Sequence, residues 1–280
     1  MEWLLVPAVG LLLLAWLLVR GRDAAAPDLA AVTPEAAAPT PTQGPLVRLS
    51  SFGRVPVLGT AAHQAELAVA ASERGGVGSG TRTVPTRAAL VLRPDADGAP
   101  VVDVRIGSRS VGGLPPGTGY APVLSYLAQR GVVGWCPARI THSAAGTWGA
   151  YLDAGDADVL LPRNQPDGLD LLEAHAPVPV SRAGTDQAAL VRMLGPAPRA
   201  CWFAELVVGR VTGGRFDGEP ALEVVIDDEV VGRLTASVTQ DYLRWVEPVL
   251  AAGARPGAEV ILSRDSRGVQ ATVHLPPIAD

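Results

Sequence analysis

The chain has 280 residues, 48% hydrophobic and 18% charged, which is enough apolar material for about two packed domains and too much for wholesale disorder. A formal net charge of -5 excludes a protein that coats nucleic acid through bulk positive charge. All 23 basic residues are arginine, and the two cysteines, Cys136 and Cys201, are too few for a disulfide framework and match no zinc-ligand spacing.

Residues 3–19 contain no charged or strongly polar side chain, a run at the short end of what crosses a bilayer. Arg20 and Arg22 follow the run, whereas only Glu2 precedes it. The positive-inside rule then predicts a single-pass anchor over residues 1–22 in the cell membrane, with the amino terminus outside and the rest cytoplasmic. The competing reading is a signal peptide cleaved near Ala24-Ala25-Ala26, but such a peptide carries Lys or Arg ahead of its apolar run. Residues 23–54 are assigned to a disordered tether, because 23–45 is rich in Ala, Pro and Thr with no apolar periodicity.

The remainder reads as one unit written twice. Val55-Pro56-Val57 and Gln64-Ala65-Glu66-Leu67 recur 123 residues later as Val178-Pro179-Val180 and Gln187-Ala188-Ala189-Leu190. Asp97-Gly98-Ala99-Pro100 and Val111-Gly112-Gly113-Leu114 recur at an offset of 120, as Asp217-Gly218-Glu219-Pro220 and Val231-Gly232-Arg233-Leu234. Residues 137–140 align with 258–261 at an offset of 121, and 146–152 with 268–274 at 122. Motif order predicts modules at 55–153 and 178–280. Residues 154–177, which carry Asp, Pro and Gly without periodicity, are assigned to a linker.

Within each module the predicted elements run in the same order. A helix (63–72 and 186–194) precedes a strand (88–92 and 203–208). Next comes a strand with apolar residues at period two, Val102, Val104 and Ile106 in the first copy. A turn at Gly107-Ser108-Arg109, or at Asp227-Asp228-Glu229, leads to a return strand ending in V-G-x-L. A second helix (121–130 and 239–252) stops at Gly131 or Gly253, and two strands close the unit. The predicted fold class is α+β and β-rich, two small barrel-like modules with two helices each behind one transmembrane helix.

The unit resembles the HIRAN domain, chiefly its tandem versions in actinobacterial proteins. The resemblance rests on V-P-V-x-G ahead of a Q-x-x-L helix (55 to 67), an Asp followed by Pro and a V-x-V strand, V-G-x-L (231 to 234), and Tyr-Ala-Pro-Val-Leu (120 to 124). It implies a barrel related to the OB class and binding of single-stranded DNA, particularly free 3′ ends. In that family an N-x-x-D-x-x-A loop and nearby aromatics form the nucleotide pocket. By that correspondence the ligand-binding candidates are Arg215, Phe216 and Asp217 in the second copy, with Arg93 and Asp97 as a poorer equivalent in the first. Neither copy carries the Asn, and the first offers no ring. Asp97 and Asp217, each followed by Gly, also suit plain turns.

No catalytic pattern emerges. His63, His142, His175 and His274 are scattered, residues 75–80 lack the Lys of a phosphate loop, and no G-x-S-x-G elbow is present. No enzyme activity, cofactor or metal is therefore expected, and both cysteines read as small core residues. The expected function is a membrane-anchored tandem binding or scaffold protein, with the bilayer as partner through residues 3–19 and a protein as the second partner. The alternatives are single-stranded nucleic-acid binding through the second module, or an accessory role beside a DNA-processing hydrolase. A basic, aromatic-lined groove is the feature that distinguishes nucleic-acid binding from a scaffold role.

Overall fold

The structure, a computed structural model, describes residues 44–75, 82–173, 176–181 and 185–278. The expected membrane segment 1–22, residues 23–43 of the expected tether, most of the 75–80 loop, and His175 lie outside the described residues. Among the described residues no helix is long and apolar enough to cross a membrane.

The period-two pattern of Val102, Val104 and Ile106 folds as expected, with those three side chains buried on one face of a strand. That strand is β4 (Pro100–Ile106), one of seven in the first sheet. The others are β1 (Leu46–Arg48), β2 (Arg54–Pro56), β3 (Arg82–Pro94), β5 (Arg109–Gly113), β6 (Val133–His142) and β7 (Trp148–Asp153). Its strand order is β2-β7-β6-β3-β4-β5, antiparallel throughout, with β1 added parallel to β6. Helices α1 (Gln64–Ser72) and α2 (Ala121–Gln129) bury Leu67, Val123, Leu124 and Leu127 against one face of this sheet.

The second sheet repeats the plan. It contains β8 (Leu169–Leu171), β9 (Ala176–Pro179), β10 (Arg199–Arg210), β11 (Pro220–Ile226), β12 (Glu229–Arg233), β13 (Arg255–Asp265) and β14 (Gly268–Leu275). The order is β9-β14-β13-β10-β11-β12, and β8 lies parallel to β13. Helices α3 (Gln187–Leu194) and α4 (Ala236–Ala251) cover it, with Leu190, Leu194, Tyr242 and Val246 in the core. The described structure is therefore β-rich α+β, with two largely antiparallel sheets of identical topology, each carrying two helices. The internal repeat read from the sequence is present.

The repeated motifs have physical roles. Gln64 Nε2 donates to the Trp148 carbonyl at 2.8 Å while its Oε1 accepts from Trp148 N–H, and Gln187 Nε2 donates to the Val269 carbonyl at 3.1 Å. Each glutamine thus ties its helix to the last strand of its own module. The Gly of V-G-x-L sits at φ +140° in Gly112 and +153° in Gly232. A Cβ there would stand 2.2 Å from the Leu58 carbonyl oxygen or 2.4 Å from Val180 Cγ1, so only glycine fits. At these points Leu58 bridges to Gly113 and Ser181 to Arg233, linking the two ends of each strand path.

Strand register corrects the sequence alignment by one residue at two places. Buried Ala138 and Val260 occupy equivalent positions, 122 apart rather than 121, and so do Ala150 and Ala271, 121 apart rather than 122. A slip of one in a strand exchanges its faces, so the sequence alignment paired core positions with outward ones.

Two boundaries also move. Leu46–Arg48, expected in the tether, is a strand, and Leu49, Ser50 and Ser51 beyond it are buried. The expected linker 154–177 contains β8 and buries Ala154, Val159 and Leu160. Both short strands gain their hydrogen bonds from partners more than 80 residues further on, a non-local pairing that leaves no periodic signal.

The second faces of the two sheets meet through these segments. Phe52 packs with Val159, Cys201 and Ile261 and stacks on His274 at 4.6 Å between centroids. Cys136 is a core residue of the first module, as expected, whereas Cys201 belongs to this seam. Asn164 and Gln165 brace it. Gln165 accepts from Arg48 N–H at 3.3 Å and donates to the Arg48 carbonyl at 2.9 Å. Asn164 accepts from Phe203 N–H at 2.8 Å and donates to the Phe203 carbonyl at 2.9 Å. Adjacent side-chain amides thus complete the backbone pairing of one strand in each module.

Candidate binding face

The residues expected to bind a ligand lie at the β3–β4 and β10–β11 connections. Asp97 occupies an exposed turn in which Asp95 Oδ1 accepts from Asp97 N–H at 2.9 Å and Ala99 N–H at 2.8 Å. Arg93, at the end of β3, leans 3.7 Å from the buried carboxylate of Asp103. In the second module Asp217 Oδ1 accepts from Gly213 N–H at 2.6 Å, which shapes its own loop. Phe216 is 47% exposed with the Arg215 guanidinium 5.6 Å from its ring centre. Arg215, Phe216 and Asp217 are therefore neighbours on one exposed loop, and Arg93 and Asp97 flank the corresponding loop of the other module.

A second cationic and aromatic surface was not singled out from the sequence. Register places Arg105 on β4 opposite Ala89 on β3, Ala89 opposite Trp135 on β6, and Trp135 opposite Arg48 on β1. Adjacent strands lie about 4.8 Å apart, so these four side chains form one row across the outer face of the first sheet. Arg87, two residues before Ala89 and on the same face, holds its guanidinium 4.6 Å from the Trp135 ring centre. Arg48 approaches the same ring at 5.3 Å. Because Ala89 is small, a groove of about 410 Å³ opens between Trp135 and Arg105. Leu46, Val91 and Val133 contribute to its lining, with Arg74, Arg87 and Arg105 as its charged groups.

Among the described residues no carboxylate lines this groove. Arg105 donates to Asp103 at 2.8 Å, a carboxylate that also accepts from Ser110 Oγ at 2.6 Å. The nearby Glu73 is held by Arg109 at 3.0 Å. Arg74 and Arg87 form no ion pair among the described residues. Two cations without an ion-pair partner among the described residues are therefore concentrated here on a chain whose net charge is -5.

The equivalent row in the second module has different chemistry. It runs Val225, Glu205, Gly257 and Leu171, so Gly257 takes the place of Trp135 and Glu205 the place of Ala89. Leu171 and Leu169 crowd the space above Gly257, where a Cβ would meet Leu171 Cδ2 at 2.7 Å. Arg255 neutralises Glu205 through a close ion pair. Phe203, equivalent to Arg87, turns to the seam, 5.9 Å from the Arg48 guanidinium. No local sequence motif marks this contrast, since it depends on which residues the two registers place side by side.

Burial shifts the titration of several groups at the seam. Glu259, 1% exposed, has its pKa raised by desolvation, against hydrogen bonds from Ser51 that lower it. Arg48 loses hydration on burial, which lowers its pKa, while the nearby Glu259 acts in the opposite direction. Both cysteine thiols are pushed up by complete burial, which leaves them un-ionised and poor nucleophiles. Among the described residues no group of three or more His, Cys, Asp or Glu is placed to hold a metal ion.

No protein-family model matches the chain, and no curated protein or solved structure matches it.

Proposed function

We propose that the chain is a non-enzymatic binding or scaffold protein made of two HIRAN-like modules of OB-related barrel type, held at the membrane by residues 1–22. The observation that carries the reading is the divergence of two otherwise identical sheets. In the second module the outer face is filled by its own Leu169, Leu171 and the Arg255–Glu205 pair, and it helps to hold the first module. In the first module the same face keeps an open groove with Arg87 beside Trp135, and among the described residues neither Arg87 nor Arg74 has an ion-pair partner. Duplication followed by division of labour, one copy for support and one for recognition, accounts for both surfaces.

The test is photo-crosslinking from membranes, with the crosslinker at Ala89 of the first module or at Val207 of the second. Discrete adducts at Ala89 and none at Val207 support the reading, and the reverse pattern defeats it. A periplasm-type phosphatase reporter fused after Asp280 tests the orientation: a cytoplasmic carboxyl terminus requires the fusion to be inactive, and an active fusion overturns it.

A second reading is favoured by the exposed Phe216 with Arg215 alongside. In it the β10–β11 loop stacks and neutralises a single-stranded nucleic acid. Loss of one stacking ring costs about 1–3 kcal/mol, so Phe216→Ala in the full chain would weaken binding roughly 5- to 150-fold at about 50 mM salt. Equal affinity of F216A and the parent for oligonucleotide rejects this loop as the site.

A further inference from the structure

The first module's groove has a definite chemical character, and it sets what can occupy it. Its floor is short and apolar, with Ala89 between Trp135 and Val91, and its charged rim is Arg74, Arg87 and Arg105. At about 410 Å³ it falls in the size range of sites for small organic ligands, roughly 300–1,000 Å³. The Arg87 and Arg48 guanidinium groups approach the Trp135 ring at 4.6 and 5.3 Å, so the arginines and the Ala89 gap flank the same aromatic surface.

Resting on the binding-protein reading above, we propose that this groove is a site for an amphipathic organic anion: a flat aromatic body with a phosphate or carboxylate head. The body would lie over Ala89 beside Trp135, where a residue of any greater size on β3 would collide with it. The head would meet Arg87 and Arg74, whose guanidinium groups have no carboxylate to satisfy them among the described residues. Arg105, already committed to Asp103, supplies field more than a free hydrogen-bonding fork. The contacts of the head are charge-assisted, and those of the body are area burial. Neither half of the ligand alone satisfies the groove. An inorganic oxyanion leaves the apolar floor wet, and a neutral aromatic leaves two cations uncompensated.

The probe is 1-naphthyl phosphate, titrated calorimetrically into the purified full chain, with inorganic phosphate as the head-only control. One site per chain is expected, with an affinity at least about tenfold better than that of inorganic phosphate. Ala89→Trp, which fills the gap and leaves every charge in place, should abolish the heat of binding. Arg74→Ala with Arg87→Ala should weaken it about tenfold or more, since each removes a charge-assisted contact. Arg87→Lys should recover part of the loss by charge alone. All three positions face outward, and a thermal unfolding scan of each variant verifies that the fold is intact. Absence of binding in the parent chain, binding that A89W leaves unchanged, or inorganic phosphate binding as tightly as the ester would overturn the proposal. Crosslinked protein partners at Ala89 in a chain that binds no naphthyl phosphate would sink this inference while leaving the scaffold reading in place. Naphthyl phosphate binding without any crosslinked partner would do the reverse.

Discussion

Ser51 donates its backbone N–H to both oxygens of Glu259, at 2.9 and 2.8 Å, and its hydroxyl donates to the same carboxylate in a shorter contact. The two residues are 208 positions apart and belong to different modules, so this buried contact is a direct bond across the seam. Desolvation outweighs these hydrogen bonds and raises the Glu259 pKa. A folded-state value above the unfolded one, about 4.3, means that the group favours folding most below that pH. The contribution fades as pH rises through the raised folded value. Glu259→Gln should therefore flatten the stability–pH curve from about pH 4 upwards, relative to the parent, while keeping the contact with Ser51. Glu259→Ala should cost about 1–3 kcal/mol by leaving the buried Ser51 N–H unpaired. Denaturant melts of the three chains across pH 4–7 check both outcomes, and parallel curves for E259Q and the parent contradict the assignment.

His274, stacked on Phe52 in the same seam, has the opposite sign. Burial first, and then Arg199, depress its pKa from 6.5 to about 4. Its contribution to stability is present above pH 6.5 and is lost progressively as pH falls from there towards about 4. His274→Gln should remove that acid-side loss, so the difference in melting temperature between H274Q and the parent should shift in favour of the variant from pH 7 to pH 4. A pH-independent difference would mean that the imidazole does not titrate in this window.

The amide brace predicts an asymmetry. Asn164 serves Phe203, which is 3% exposed, whereas Gln165 serves the more exposed backbone of Arg48. Asn164→Ala should cost about 1–3 kcal/mol by stranding a buried N–H and carbonyl. Gln165→Ala should cost under about 1 kcal/mol, because water can replace it. Urea melts of both variants measure the difference, and a larger loss for Q165A contradicts the burial argument.

Gly112 and Gly232 should be the least replaceable residues of the V-G-x-L motifs. At φ +140° and +153°, with a Cβ clash near 2.2 and 2.4 Å, alanine brings backbone strain and overpacking together. Each substitution should cost about 2 kcal/mol or more, whereas Gly113→Ala, whose Cβ would meet only the Val102 carbonyl oxygen at 3.2 Å, should cost less. Thermal melts of G112A, G232A and G113A rank them directly.

Most of each module was legible because its signals are local. Period-two burial on β4, the Q-x-x-L helices, glycine stops after α2 and α4, and the recurrence of V-G-x-L all follow from neighbouring residues. The duplication was legible for the same reason, since motif order survives insertions. The turn Asp227-Asp228, read from residue type, does take positive φ at both positions, 48° and 66°. Even so, the alignment slipped by one residue on β6/β13 and on β7/β14. On β6 and β13 apolar and small residues fall on both faces, with buried positions in succession on β13, and the sequence alone does not mark which face is inward.

Tertiary structure alone decided what the faces do. Leu46–Arg48 and Leu169–Leu171 are too short to declare themselves and become strands only because β6 and β13 offer them edges. Trp135 gains its meaning from Ala89 on one side and Arg48 on the other, residues 46 and 87 positions away in the chain. The same lattice positions in the second module hold Glu205, Gly257 and Leu171, which close the face. Composition and periodicity determine how much is buried and in which elements. Which side chains stand next to one another across strands is set by register, a non-local property that no single segment encodes.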